Sequence, residues 1–370
     1  MKKLLVNFLQ FLLFLGIGAG ILFLVFRHQN EAYLDECCIK NIPGWQEIVD
    51  ETARKSLLKE CREANTYACP PLTEKLVADF KSTRFGWILL VLLSFVVSNI
   101  SRTFKWKMLL KPMGYRPRFI NGFLSILVGY FANLGLPRMG EVVRGGLMSR
   151  YEHIPVEKVM GTIVVDRAVD VICLGIAFLL ALFFESEKIL GFITENQRGG
   201  ETDPVGSYWL LALLAGLVII VLLFVFRARI LKNSIVRKVI GMFKGFVEGL
   251  KAVGKLERPW LFVFHSLNIW FLFFLMTWLG FQAFGPTEHL GLRAALTVFV
   301  FATLGFVIPS PGGMGTFHAL VIACLTLFYG IKGDDAFSMA NIIFFSVQIG
   351  FNSILGLMGL LLLPVLNRKR

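Results

Sequence analysis

Two short stretches of this chain hold the residues that could do chemistry. One is PRMGEVVR, which sets Arg138, Glu141 and Arg144 at helical spacing. The other is VVDRAVDV, with Asp166, Arg167 and Asp170. Arginine suits phosphate because its planar fork donates two parallel hydrogen bonds. A helix restarting after Pro137 would add unpaired N–H donors and a favourable dipole, completing an anion cradle. Ordinary cytoplasmic charge is the plainer reading, and Glu141 lying between the arginines favours the cradle. Asp166 and Asp170 share a helical face, and Arg167 can reach Asp170. Charges inside an apolar span are costly, so they are paired and turned inward. They form either a charged site beside the cradle or an ion network that fixes a helix end.

The elements that carry these residues are broken in the same way twice. FANLGLPRMGE (131–141) and FATLGFVIPSPGGMG (301–315) both begin Phe-Ala-(Asn/Thr)-Leu-Gly, meet proline and end on Met-Gly. Proline ends a helix and glycine permits turns that other residues resist. At bilayer depth such backbone must be buried in protein or line a cavity. Paired breaks in two halves of a chain point to a transport site. Asn133 lies in the first break and His318 follows the second. A lone membrane histidine commonly packs, and its role stays open.

Composition sets the compartment. The 370 residues are 56% hydrophobic and 17% charged, with mean hydropathy +0.68; soluble domains carry about 25% charge. This is a membrane chain with room for roughly seven to nine spans of about 20 residues. The formal charge of +13 fits cytoplasmic Lys/Arg bias and an anionic inner leaflet, and no nucleic-acid partner is expected. Expected spans are 4–26, 86–101, 119–136, 160–184, 207–226, 259–284, 291–308, 314–330 and 338–364. The first is read as uncleaved, because its apolar run is longer than the core of a signal peptide.

Charge orients these spans. Residues 102–118, 227–258 and the tail are basic and face the cytoplasm; 28–83 and 185–206 are acid-rich and face outward. Both termini are therefore cytoplasmic. Segment 119–136 then cannot cross: it enters from the cytoplasm, breaks near Pro137 and returns. The pair at 291–330 starts and ends outside, and from Ala294 to Ile331 it holds no Asp, Glu, Lys or Arg. The expected fold is an all-α polytopic membrane protein with about six full spans and two re-entrant broken hairpins in an inverted repeat. Its units are an N-terminal span (1–27), an extracytoplasmic insert (28–83), a first membrane half (84–226), a basic amphipathic segment on the inner leaflet (227–258) and a second membrane half (259–370).

Cys37, Cys38, Cys61 and Cys69 in the insert suggest one or two disulfides, with the adjacent pair bonded elsewhere. Cys173 and Cys324 read as packing residues. Most apolar-context amides (Asn99, Asn268, Gln348, Asn352) read as glue between helices. No catalytic fingerprint is present, so the chain reads as a non-enzyme with no cofactor and no metal.

At this point the chain resembles the lysylphosphatidylglycerol synthase transmembrane-region family, flippase-like or UPF0104 in type. The words that carry it are Arg102-Thr-Phe-Lys-Trp106, GYFANLGLPRMGEVVR (129–144), VVDRAVDV (164–171) and PSPGGMG (309–315). The resemblance implies an inner-membrane, multi-pass protein, suggestively bacterial, that moves phospholipids or polyprenyl-linked lipids between leaflets. It also implies that Pro137, Arg138, Gly140, Glu141, Arg144, Arg167, Asp170, Pro311, Gly312, Gly313 and Gly315 are core positions. Family members often carry glutamate where this chain has His318. With no aminoacyl-transferase domain before Arg370, the chain is not expected to make lysyl-lipid by itself. The candidate substrate-binding set is Asn133, Pro137, Arg138, Gly140, Glu141, Arg144, Asp166, Arg167, Asp170, Pro309, Pro311, Gly312, Gly313, Gly315 and His318. The expected function is lipid translocation, with membrane lipid and the anionic leaflet as partners and room for a homo-oligomer. The competing readings are a small-solute or ion transporter, and a non-transporting partner of a lipid-modifying enzyme.

Overall fold

Apolar runs and the residues that interrupt them set the helices of the computed structural model. It describes residues 2–42, 45, 50–64, 69–135, 138–186 and 253–368, with side chains from residue 16 onward except residue 17. Pro137, the expected span at 207–226, and most of the segments 185–206 and 227–258 lie outside the described residues. The helices are α1 (Lys2–Asn41), α2 (Glu51–Ala64), α3 (Leu72–Ser82), α4 (Phe85–Leu110), α5 (Phe119–Gly135), α6 (Met139–Glu152) and α7 (Val156–Phe184). After the undescribed stretch come α8 (Pro259–Ala283), α9 (Leu292–Val307), α10 (Thr316–Tyr329), α11 (Gly333–Ile343) and α12 (Asn352–Leu366). A π-helical stretch, Phe344–Phe351, joins the last two.

Among the described residues there is no strand, and five helical stretches are long and apolar enough to cross a membrane. The second hairpin's return arm, counted from Pro311, is one of them; α5 and α9 are shorter. Phe183, Trp260, Leu361 and Val365 are largely exposed. Apolar surface on that scale suits lipid rather than water. The chain is an all-α polytopic membrane protein.

Two helices run past their expected ends. α4 does not stop at Ser101. It continues to Leu110 and ends in a tight turn whose Gly114 takes the left-handed conformation (φ 87). Arg102 and Lys105 are therefore helical and buried, not part of a cytoplasmic loop. α1 likewise continues through the expected insert to Asn41 and carries Cys37 and Cys38 at its end.

Helix packing in the two halves follows one scheme. α5 folds back on α6 as α9 folds back on α10, giving two helical hairpins. α4 packs on α5 as α8 packs on α9, and α6 on α7 as α10 on α11. α4 and α8 pack against each other along an extensive face. Across the halves, α5 leans on α12 and α9 leans on α7. Every contact named in one half has its counterpart in the other, as in an internal repeat. Gly356 and Gly359 let α12 approach α5, where Phe131 and Val128 fill the space an added Cβ would need.

The insert is bonded to this frame. Cys37 pairs with Cys69 and Cys38 with Cys61, tying the end of α1 to α2 and to the start of α3. Lys75 of α3 lies between Asp79, Asp334 and Asp335, at 2.8, 3.4 and 2.6 Å. Burial works against its charge. The hydrogen bonds it gives Asp335 and Asp79 outweigh that and hold the ammonium above the usual lysine range. Replacing Cys38 and Cys61 together with serine is expected to lower stability by about 2–4 kcal/mol. The thermal midpoint of the purified chain would show this, and an unchanged midpoint would mean the bridge constrains nothing.

Candidate functional site

The first hairpin is held shut by backbone contact. A Cβ on Gly140 would stand 2.1 Å from the Gly129 carbonyl oxygen and 2.7 Å from Asn133 Oδ1, so only glycine fits where α6 crosses α5. The Asn133 side chain accepts a hydrogen bond from the Gly140 N–H at 2.7 Å. This occupies one of the donors that a bare helix start would offer an anion. Arg138 precedes α6 with φ 64, a left-handed conformation uncommon for a side chain of its size.

The second break is built from glycines in the same region of φ: Gly312 (59), Gly313 (81) and Gly315 (79). Pro311, Gly312 and Gly313 are buried, while Pro309 is exposed. Thr316 Oγ1 donates to the Gly305 carbonyl at 2.7 Å, and Ser310 Oγ lies 2.8 Å from Thr316 Oγ1, closing the hairpin mouth. α1 backs this tip: a Cβ on Gly18 would stand 3.0 Å from Pro311, and one on Gly315 would stand 2.7 Å from Ile21.

The two tips meet. Arg138 reaches across to the Val307 carbonyl at 3.3 Å. Leu134 packs on Gly312, whose added Cβ would stand 2.9 Å from Leu134 Cδ2 and 3.5 Å from Gln348 Nε2. The two breaks are far apart in the chain and adjacent in space.

Beside the first tip lies a charge network drawn from three helices. Lys105 Nζ of α4 stands 2.6 Å from Asp166 Oδ1 and 3.3 Å from Asp170 Oδ1. Arg102 bridges the same two carboxylates at 3.4 and 3.3 Å. From α6, Arg144 reaches Asp166 at 3.2 Å. On α7 itself, Arg167 bonds Asp170 at 3.3 Å and Glu141 of α6 at 2.6 Å. Lys105 is fully buried and Asp166 nearly so, whereas the Arg167 side chain is 46% exposed. Aromatic faces lie against three of the cations: Phe273 by Arg102, Phe262 by Lys105 and Trp106 by Arg144. Trp106 also donates to Thr162 Oγ1 at 2.9 Å, fixing α4 to α7.

The residues singled out from the sequence therefore divide. Asn133, Arg138, Gly140, Glu141, Arg144, Asp166, Arg167 and Asp170 are gathered at the first tip, and Gly312 touches it. Asp166 and Asp170 share a face as their spacing requires. Glu141 pairs with Arg167 rather than with the arginines on its own helix. Arg144 is buried against Asp166, so of these three arginines only Arg138 and Arg167 are exposed, where a bulky headgroup could meet them. His318 is held elsewhere, fully buried among Phe317, Phe337 and Phe344, with Asn341 as its polar neighbour. Pro137 lies outside the described residues. Arg102 and Lys105 are the members that the candidate set leaves out; the Arg102-Thr-Phe-Lys-Trp106 word and their i, i+3 spacing on the end of an apolar helix are the available signals. Asn268 bonds Ser101 at 2.7 Å and so joins α8 to α4, as a helix-gluing amide should. Among the described residues no His, Cys, Asp or Glu group is arranged to hold a metal.

A narrow crevice opens onto the network between α5, α6 and α7, lined by Gly129, Tyr130, Asn133, Gly140, Glu141, Arg144 and Arg167. Its volume of about 20 Å³ admits a water-sized group and no lipid headgroup.

Comparison with known proteins follows the same residues. The family model for the lysylphosphatidylglycerol synthase TM region matches residues 72–356. A UPF0104 membrane protein of Methanocaldococcus jannaschii is 30% identical over 100 residues, which are 26% of this chain and 30% of that protein's length. No solved structure matches.

Proposed function

The chain belongs to the lysylphosphatidylglycerol synthase transmembrane-region family, and from that membership we propose that it moves an anionic lipid headgroup across the membrane. The observation that carries this reading is the meeting of two broken hairpin tips beside a buried, charge-rich network. A polar headgroup crossing a bilayer needs a path that replaces its hydration while the acyl chains stay in lipid. Broken helices supply polar backbone at that depth, and the network supplies charge.

In this reading the phosphate first meets Arg138 and Arg167, the two arginines within its reach. The crevice, too small for a headgroup, belongs in this reading to a closed state. Entry separates the tips, breaking the Arg138–Val307 contact and withdrawing Leu134 from Gly312. The repeated packing scheme lets the second hairpin open in the opposite sense, toward the other leaflet. Movement is down-gradient or coupled to an ion or the membrane potential.

The test is lipid flip in proteoliposomes carrying headgroup-labelled phosphatidylglycerol, its lysyl form or a polyprenyl phosphate. Wild type should raise the flip rate of at least one of them. Arg138→Ala should lower that rate roughly tenfold or more, as expected from losing a charge-assisted contact of about 1.5–3 kcal/mol. No flip by folded wild-type protein, with or without an ion gradient, would contradict the reading.

A further inference from the structure

We infer that the crevice at the first hairpin binds one small monovalent anion, chloride-sized, as the counter-ion of the buried network. Four cations (Arg102, Lys105, Arg144, Arg167) bridge three carboxylates (Glu141, Asp166, Asp170), which leaves one positive charge in excess. Among the described residues no further carboxylate bridges any of these cations. An uncompensated charge at membrane depth is costly, and the aromatic faces beside Arg102, Lys105 and Arg144 ease that cost without neutralising it.

The crevice is where the excess is accessible. Arg144 lines it, is only 4% exposed, and keeps its Nε–H without a hydrogen-bond partner. Arg167 lines it too and already has Glu141 at 2.6 Å, so the Glu141 carboxylate is counted within the three. The volume of about 20 Å³ suits one small ion. Arg144 Nε–H is the buried donor left free on a residue of these walls. A lipid phosphodiester carries the same single charge, shared over two oxygens, one of which could reach the same place. The charge excess exists whether or not lipid crosses the membrane.

The test reads the thermal midpoint of the detergent-purified full chain in sodium chloride against sodium gluconate at constant ionic strength. Chloride should raise the wild-type midpoint saturably, by roughly 3 °C, and gluconate should not. Arg167→Gln leaves three cations against three carboxylates and should abolish the chloride response. Glu141→Gln raises the excess and should enlarge it. Opposite signs in these two variants cannot come from a shared loss of packing, since both break the same Arg167–Glu141 pair. Equal midpoints in both salts, or variants that respond alike, would overturn the site. Mixed micelles identify the source. If phosphatidylglycerol removes the chloride response and phosphatidylcholine, whose phosphate is accompanied by its own choline cation, does not, the phosphodiester of a net-anionic lipid takes the same position. A response that survives both lipids assigns it to the free ion.

Discussion

Asp166→Ala is expected to cost about 3–5 kcal/mol, a large share of a net stability of about 5–15 kcal/mol. Asp166 is the hub of the network. It faces Lys105 at 2.6 Å, Arg144 at 3.2 Å and Arg102 at 3.4 Å, and all four residues are buried. Its removal leaves Asp170 to balance Lys105 and Arg102 and strands Arg144 against Trp106 with no carboxylate. The loss is that of leaving buried charge unpaired, which exceeds what a new pair would add. A second change separates this from simple cavity formation. Arg144→Met placed on Asp166→Ala removes the stranded charge and should return part of the loss, a coupling that a double-mutant cycle measures. Size-exclusion profiles and thermal midpoints of the single and double variants check it. A wild-type midpoint for Asp166→Ala would mean that the network does not hold these helices together.

Gly140→Val should open the first hairpin at a cost of about 3 kcal/mol. The added Cβ would overlap the Gly129 carbonyl oxygen at 2.1 Å, and that oxygen belongs to α5 backbone, which cannot turn aside. The same Cβ would displace Asn133 Oδ1 from the Gly140 N–H and uncap α6. Gly146, on the same helix, has open space around its would-be Cβ, so Gly146→Ala should be neutral or slightly stabilising. Thermal midpoints of the two variants, measured side by side, distinguish a steric requirement from helix propensity. Equal effects at both positions would contradict the close crossing.

Particular residues show what the sequence discloses and what it hides. Pro137, Gly140 and Pro309 to Gly315 mark both breaks, because proline and glycine act locally and leave a trace in one dimension. The shared face of Asp166 and Asp170 follows from helical period alone. Arg102 and Lys105 read as a cytoplasmic loop in the sequence, since basic residues at the end of an apolar run are the usual sign of the inner leaflet. Only the continuation of α4 to Leu110 and the position of α7 show that both face carboxylates. Nor does the sequence disclose that Leu134 touches Gly312, or that α5 leans on α12. Those are tertiary facts between segments far apart in the chain. Hydropathy falls after Phe26 and places the end of the first span there, yet a polar sequence such as Arg27 to Asn41 can continue a helix once its end is tied down. The Cys37 and Cys38 bridges and the Lys332–Glu36 ion pair at 2.8 Å tie it.

The most direct test locks the two tips together. The Leu134 Cα lies 3.7 Å from the position of a Cβ on Gly312, close enough for Leu134→Cys and Gly312→Cys to form a disulfide. Flip of headgroup-labelled phosphatidylglycerol and of a polyprenyl phosphate should be followed in proteoliposomes of wild type and of this variant, oxidised and then reduced, with wild type treated alike. If the tips must part for a headgroup to pass, the oxidised variant will not flip, reduction will restore it, and wild type will flip throughout. Undiminished flip with the tips covalently joined would contradict the hairpin path and place any translocation elsewhere on the protein.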